Sequence, residues 1–312
     1  MACLDPHLTH GADVIIDTDH TALASLEKIQ TMFLRRLLGL GHYSMRAPLF
    51  TELGLLPLRF RRLILALRYL SYLITLPHEH YASAALQDAF DLYSQGKQGY
   101  WMDLVYALQC LPTPVVLPPL TDLTAGKCAE IGKAIYSSAL RYLDSEIAKS
   151  TRLYLLQNRL EPLEDEAPKH ITLYLRHYLT LVVNESHRKA ITRMLTSQHP
   201  LAVERMRYKS RYHRNDVPRH LRRCRFGCGA VETVEHALFQ CVADGRLEER
   251  RQQFYLKVRE VEPRVNDITV DNATTVLRAL TFNRKTVCQT AKLAHQVFTI
   301  FDSAAMIWPD ES

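Results

Sequence analysis

Apolar residues recur at every third or fourth position over most of the chain, a spacing typical of amphipathic helices. The clearest series follows the helix-capping residue Asp19, ends at Gly39, and comprises Leu23, Leu26, Ile29, Phe33, Leu34, Leu37 and Leu38. Further helices are predicted between Pro57 and Pro77 and over residues 82–93, 101–111, 126–160 (one helix or two), 171–183, 185–197, 245–261 and 285–308. Alternation typical of strands is confined to residues 14–16 and 268–270. The predicted fold class is therefore mainly α, built of helical bundles with little β structure.

Prolines and changes in composition divide this pattern into five segments. Pro112, Pro114, Pro118 and Pro119 interrupt the helices and predict a linker. The expected organisation is an N-terminal helical domain (residues 1–111), a proline-rich linker (112–122), a central helical domain (123–200), a basic segment with clustered cysteines (201–245) and C-terminal helices (246–312).

Arg59, Arg61 and Arg62 open the long helix that follows Pro57. Cations in a first turn oppose the helix macrodipole, at a cost of about a few tenths of a kcal/mol each. A negatively charged partner is therefore expected for them, and either a carboxylate or a phosphate would serve.

The composition is that of a folded protein, with 312 residues of which 47% are hydrophobic and 23% charged. The most apolar stretch, residues 63–76, is too short to cross a bilayer and contains Arg68, so no membrane partner is expected. Four of the seven cysteines, Cys3, Cys110, Cys128 and Cys288, are scattered. Because no secretory leader is recognised, we expect reduced thiols in an intracellular compartment.

The other three cysteines lie close to one histidine in a C-x3-C-x7-H-x4-C spacing: Cys224, Cys228, His236 and Cys241. Three cysteines and one histidine form a closed, tetrahedral structural zinc site. Gly227 and Gly229 suit the tight turn that the first pair needs, and Thr233 can cap a helix carrying His236. Zn²⁺ is therefore the expected cofactor, held by a small insert that resembles a zinc knuckle.

Two features leave an alternative open. Paired thiols in such motifs are usually separated by two residues, whereas Arg225, Phe226 and Gly227 separate this pair. The four residues could also be buried thiols and a core histidine that lie together without a metal.

A strongly basic stretch leads into this motif. Residues 201–225 contain nine basic and two acidic side chains, a net charge of +7 in a chain whose total is +6. Local positive charge interleaved with aromatic rings is typical of phosphate contacts and base stacking. The predicted nucleic-acid-binding residues are Arg205, Arg207, Tyr208, Lys209, Arg211, Tyr212, Arg214, Arg219, Arg222, Arg223 and Arg225. The alternative interpretation is a solvated basic face without a ligand.

Sequence motifs for catalysis are absent. The chain contains no phosphate-binding loop, no pair of histidines in the metalloprotease spacing and no nucleophile elbow. The acidic run Glu164, Asp165 and Glu166 lies beside Pro168 and is typical of a solvated loop. No catalytic residues are predicted, and an autonomous enzyme is not expected.

The chain resembles the C-terminal region of reverse transcriptases encoded by LINE-type, non-LTR retrotransposons. Two stretches, LEKIQTMFLRRLLGL and APLFTELGLLPLRFRRLILALRYLSYL, are similar to the helical region that follows the polymerase thumb. A third, PRHLRRCRFGCGAVETVEHALFQC, is similar to the family's zinc-binding motif and its basic lead-in. The aromatic-x-Asp-Asp signature of the polymerase palm does not occur.

The resemblance implies a C-terminal remnant that cannot polymerise by itself. It implies that Cys224, Cys228, His236 and Cys241 bind zinc, that the arginine-rich lead-in contacts RNA or DNA, and that the chain acts in the nucleus. A structural or protein-interaction helical domain is the alternative. A third hypothesis is an accessory part of a reverse transcriptase supplied in trans.

Overall fold

The computed structural model describes residues 5–207 and 217–309, and it is helical over most of them. The helices are α1 (Asp5–Thr9), α2 (His20–Leu38), α3 (Ala47–Leu53), α4 (Leu58–Leu73), α5 (Tyr81–Ser94), α6 (Tyr100–Gln109), α7 (Ala125–Lys149), α8 (His177–Leu181), α9 (Glu185–Leu195), α10 (Ala202–Arg205), α11 (Gly245–Val258), α12 (Ala273–Thr281) and α13 (Val287–Asp302). Short 3-10 turns occur at Leu120–Asp122, Thr151–Leu153, Arg219–Leu221 and Pro263–Asp267, and a π-helical turn at His236–Gln240. Within the described ranges, β structure is limited to isolated bridges, among them Glu161 with Lys169 and Arg223 with Val231. The prediction of a mainly α fold with little β structure is confirmed.

Local sequence signals explain where the helices begin and end. Asp19 caps α2 by accepting hydrogen bonds from the backbone N–H groups of Thr21 (2.7 Å) and Ala22 (3.3 Å). Gly39 ends the helix with a φ of +66°. The strands suggested by residues 14–16 and 268–270 do not form, because both stretches are turns or irregular backbone.

The helix predicted over residues 171–183 is reduced to the short α8. Its first residue, His177, donates its backbone N–H to the buried Glu161 carboxylate over 2.9 Å. The Arg176 guanidinium lies 3.2 Å from the same carboxylate. These buried polar contacts hold the chain before α8 in an irregular path, which periodicity alone does not reveal.

The chain divides into two compact units. The first contains the described residues up to Leu34, together with Leu49–Glu146 and Thr172–Tyr174. The second contains Arg35–Pro48, Ile147–Ile171 and the described residues from Leu175 onwards. This division differs from the five predicted segments (1–111, 112–122, 123–200, 201–245 and 246–312), because segments that are distant in sequence pack into one core.

The proline-rich stretch contacts the first unit's core at a few positions. Val115 and Leu123 are buried, and they join a cluster that includes Trp101 and Leu104. The Ser138 hydroxyl of α7 donates to the Thr113 carbonyl at 3.0 Å and accepts from its N–H at 3.1 Å. Residues 112–122 are therefore attached to the surface of the first unit through Val115 and the Thr113–Ser138 hydrogen bonds, whereas the sequence predicted a linker.

Carboxylates satisfy the three arginines at the start of α4. Arg59 contacts Glu27 at 2.7 Å, Arg61 lies 3.6 Å from Asp5, and the buried Arg62 pairs with Asp17. Arg62 also donates to the Leu8 carbonyl over 2.7 Å. The negative partner expected from the macrodipole is thus supplied by the first unit itself.

Helix α13 is the centre of the second unit. Its Ala291, Ala294, Val297 and Phe301 are fully buried, and it packs against α9, α11 and α12. Small side chains at two of these positions allow neighbouring helices to approach closely.

No described helix combines the length and the apolar character needed to span a bilayer.

Adjacent valines test the packing of the proline-rich stretch, since Val115 is 8% exposed and Val116 is 82% exposed. Val115→Asp should lower the free energy of unfolding by about 3 kcal/mol or more, because it buries a charge without a partner. Val116→Asp should change it by less than about 0.5 kcal/mol. Urea denaturation followed by circular dichroism measures both, and an equal effect of the two substitutions would contradict the packing.

Candidate metal centre

The first two cysteines lie on a tight hairpin in the second unit. Arg223 and Val231 form an antiparallel bridge, and the Cys224 N–H donates to the Ala230 carbonyl over 2.8 Å. Gly227 and Gly229 adopt φ values of +77° and +78°. A Cβ at either glycine would meet no atom within 4 Å, so the backbone conformation, not a lack of space, favours glycine there. The extra residue between Cys224 and Cys228 is accommodated by this turn.

A π-helical turn places the second pair. The Thr233 hydroxyl accepts the His236 N–H over 3.1 Å, which confirms the predicted cap. The Cys241 N–H donates to the His236 carbonyl, five residues back, over 2.8 Å. In a regular α-helix, residues five apart point about 140° away from each other, given about 3.6 residues per turn. The wider turn brings His236 and Cys241 to the same side, as their ligand spacing requires.

The four side chains converge on one point. Cys224 Sγ lies 3.7 Å from Cys241 Sγ, and Cys228 Sγ lies 3.3 Å from His236 Nε2. All four ligand atoms fall within 4.8 Å of one another. A tetrahedral zinc site with its usual bond lengths has sulfur–sulfur edges of about 3.8 Å and sulfur–nitrogen edges of about 3.5 Å. The cluster therefore has the composition and the dimensions to bind a metal ion.

Hydrogen bonds support negative charge on the buried sulfurs. Backbone N–H groups two residues further along, at Phe226 and Ala243, donate to Cys224 and Cys241 respectively. The contact between the two sulfurs lowers the pKa of Cys241 and, with burial, raises the pKa of Cys224. The metal-binding form of a cysteine is the thiolate, so a bound cation would displace the remaining thiol protons.

A buried ion pair anchors the hairpin. The Arg225 guanidinium contacts the Glu232 carboxylate at 2.7 Å, and both side chains are almost fully buried. Arg225 also donates to three carbonyls: Phe301 (2.6 Å), Ala304 (3.1 Å) and Pro200 (2.8 Å). A residue between Cys224 and Cys228 therefore joins the cysteine cluster to the end of α13.

Glu232 also connects the hairpin to the start of α10. Its carboxylate accepts the backbone N–H groups of Ala202 at 2.6 Å and Arg225 at 2.9 Å. The Ala202 bond satisfies the first turn of α10, where a negative charge is favourable. Packing adds to the anchor, because the Phe226 ring meets the Phe301 ring edge to face at 4.9 Å.

Two of the predicted nucleic-acid-binding arginines are structural. Arg225 is engaged as described, and Arg222 donates to the Val217 carbonyl at 2.8 Å and the Val203 carbonyl at 2.6 Å. Both are only 8% exposed. Arg222 and Arg225 are therefore mostly buried and engaged in internal hydrogen bonds, whereas the run of positive charge suggested side chains free to contact phosphates.

The other predicted nucleic-acid-binding residues differ in their exposure to solvent. Arg205, Arg219 and Arg223 are exposed, whereas Arg207 is half-buried and lies 3.6 Å from Glu204. The other predicted contacts, Tyr208, Lys209, Arg211, Tyr212 and Arg214, lie outside the described residues.

Sequence reasoning missed Glu232 and Arg251. Arg251 projects from α11 and is 5% exposed; its guanidinium donates to the carbonyls of Cys241 and Phe239 at the end of the π-helical turn. Burial lowers the pKa of Arg251, against the raising effect of neighbours that include Cys241. The sequence did contain a signal for Glu232, because an acidic residue lies between Cys228 and His236 and close to several arginines.

Comparison with known proteins found no matching family model, no matching curated protein and no matching solved structure.

Glu232→Ala tests the anchor. It should lower the free energy of unfolding of the second unit by about 3–5 kcal/mol, because it leaves the Arg225 charge buried without its partner. Glu249→Ala on the exposed side of α11 is the matched control, with an expected loss below about 1 kcal/mol. Chemical denaturation checks both, and a loss for Glu232→Ala no larger than the control's would contradict the assigned role.

Proposed function

We propose that this chain is a zinc-stapled nucleic-acid-binding module without a catalytic site of its own. The observation that carries the proposal is the convergence of Cys224, Cys228, His236 and Cys241 within 4.8 Å, next to exposed arginines. The zinc ion would hold the hairpin and the π-helical turn together. The basic side chains would then present a fixed positive surface to a phosphate backbone.

The donor set favours zinc. Three thiolates and one imidazole are soft to intermediate ligands, and four protein ligands leave no open position for substrate. Zinc with three thiolates carries one net negative charge, and the buried Arg251 guanidinium adjoins the Cys241 ligand. This cation compensates the charge of the cluster inside the protein.

Exposed arginines beside the cluster support nucleic-acid binding. Arg223 immediately precedes the ligand Cys224, and Arg219 lies four residues earlier on a 3-10 turn. Arg205 is exposed at the end of α10. Exposed arginine side chains can neutralise phosphates without reading base sequence.

The resemblance to the C-terminal region of non-LTR retrotransposon reverse transcriptases supports the same proposal. On this hypothesis the chain is a remnant that binds RNA or DNA in the nucleus and lacks the polymerase and endonuclease sites. A reverse transcriptase supplied in trans would be a partner of such a module.

A second candidate function is a structural or protein-interaction domain. The burial of Arg222 and Arg225 favours it, because part of the basic stretch serves internal hydrogen bonds. In that case the metal would stabilise the fold, and the exposed arginines would have no nucleic-acid ligand.

Metal analysis tests the zinc site. Purified protein should contain close to one zinc per chain, and Cys228→Ser should lose most of it together with the hairpin's stability, since binding to such sites is worth about 10–16 kcal/mol. Cys288→Ser, at another exposed cysteine, should retain the zinc. Atomic absorption provides the measurement, and a metal-free, fully folded wild type would contradict the proposal.

Salt dependence tests the nucleic-acid interface. Log affinity for single-stranded RNA should fall with log salt by about 0.7 per neutralised phosphate, and Arg219→Ala with Arg223→Ala should flatten that slope by roughly 0.7 each. Arg68→Ala, an exposed arginine in the first unit, is the control and should leave the slope unchanged. Zinc-loaded protein with no affinity for RNA or DNA at low salt would favour the structural alternative.

A further inference from the structure

A large cleft opens in the second unit, on the side where Arg205 is exposed. Its volume is about 910 Å³, and its lining includes Tyr43, Arg193, His199, Arg205 and Trp308. A smaller recess of about 220 Å³ shares Arg193 and Arg205 with it. The two hollows therefore form a groove that passes the same pair of arginines.

Aromatic rings line this groove. Tyr43 is 75% exposed and packs edge to face against His42, with the ring centroids 5.3 Å apart. Trp308 is half-buried and packs against a small cluster that contains Met206. Rings that are supported from one side and accessible from the other are suited to stacking on a planar ligand.

The charge of the lining is positive. Arg193 and Arg205 are both exposed, and Arg193 is oriented by a 3.0 Å hydrogen bond from its Nε to the Gly39 carbonyl. The acidic Glu204 is buried and paired with Arg152, so Asp302 is the exposed carboxylate that opposes the two arginines. The lining therefore favours an anion beside the aromatic rings.

His199 is a polar group in the lining that the fold does not satisfy. It is 3% exposed, and its Nδ1 has no hydrogen-bond partner among the described residues. Burial, with Arg152 and Arg205 nearby, lowers the pKa of His199 to about 3, so the ring is neutral and can both donate and accept. A buried nitrogen of this kind is typical of a place where a ligand or an ordered water completes the hydrogen bonding.

We propose that this groove binds a single-stranded nucleic acid, with an unpaired base stacked on Tyr43 and Trp308 and the adjoining phosphates on Arg193 and Arg205. The inference rests on the proposed function and assigns to it a strand-binding site separate from the arginines of the cysteine hairpin. Rings and cations in one groove fit a flexible single strand, because the bases of a duplex are stacked on one another and present no free face to an aromatic ring.

Exposed tyrosines provide a matched pair of variants. Binding of labelled oligo(U) and oligo(dT) is measured by fluorescence anisotropy at low and physiological salt, and the two oligonucleotides separate an RNA preference from a DNA preference. Tyr43→Ala should weaken binding by roughly 5- to 150-fold, the usual loss for one stacked base. Tyr43→Phe should bind like wild type because it keeps the ring. Tyr81→Ala, at a 93% exposed tyrosine in the first unit, should also bind like wild type.

The salt dependence of binding tests the proposed phosphate contacts. Arg193→Ala and Arg205→Ala should each reduce the slope of log affinity against log salt by about 0.7, whereas Arg68→Ala should not.

Tryptophan fluorescence reports on the second ring. The chain has two tryptophans, and Trp101 is only 1% exposed. Quenching of tryptophan fluorescence by the oligonucleotide should therefore report on Trp308, and circular dichroism confirms that each variant is folded.

The outcomes separate this inference from the proposed function. Wild type that binds neither oligonucleotide overturns the proposed function, and the groove assignment with it. Wild type that binds while Tyr43→Ala, Arg193→Ala and Arg205→Ala all match their controls overturns the groove assignment alone. Weaker binding of Tyr43→Ala with rescue by Tyr43→Phe supports it.

Discussion

The second unit depends on a buried pair of opposite charges, Arg225 and Glu232. Removing both groups from water costs several kcal/mol per ion, so the arrangement is stable only with complete hydrogen bonding. The contacts meet this condition: Arg225 reaches the carboxylate and three backbone carbonyls, and Glu232 accepts two backbone N–H groups as well. The pair fixes the hairpin that carries Cys224 and Cys228 against the ends of α10 and α13. The positions of the ligands therefore follow from tertiary contacts as well as from the local turn.

The Arg225–Glu232 pair also affects the surface around the cysteine cluster. Four side chains from a hairpin and a π-helical turn meet within 4.8 Å, while the neighbouring Arg222 and Arg225 are turned inward. Among the described residues of the basic stretch, Arg205, Arg219 and Arg223 are exposed and lie on or beside short elements next to these internal bonds. We propose that a bound zinc ion makes these elements rigid. The exposed arginines would then be held in fixed positions for contact with the phosphates of a nucleic acid.

Sequence patterns predicted some of this structure and could not predict the rest. Helical periodicity and the cap at Asp19 gave the fold class and α2, and the spacing of cysteines and histidine gave the cluster. Periodicity could not reveal the π-helical turn, because an α-helix satisfies the same pattern of apolar residues. Neither could composition identify the role of Arg225, whose partners Phe301 and Ala304 lie more than seventy residues away. Prolines correctly indicated that α6 ends, but they could not indicate that the following chain is attached to the first unit through Val115 and Ser138.

The proposed module depends on three sulfurs and one imidazole nitrogen that hold a single zinc ion. X-ray absorption at the zinc edge of the purified protein tests it directly, because scattering separates sulfur from nitrogen and oxygen neighbours. We expect three sulfur ligands at about 2.3 Å and one nitrogen ligand at about 2.0–2.1 Å. A first shell of nitrogen and oxygen alone, or one with fewer than three sulfurs, would contradict it.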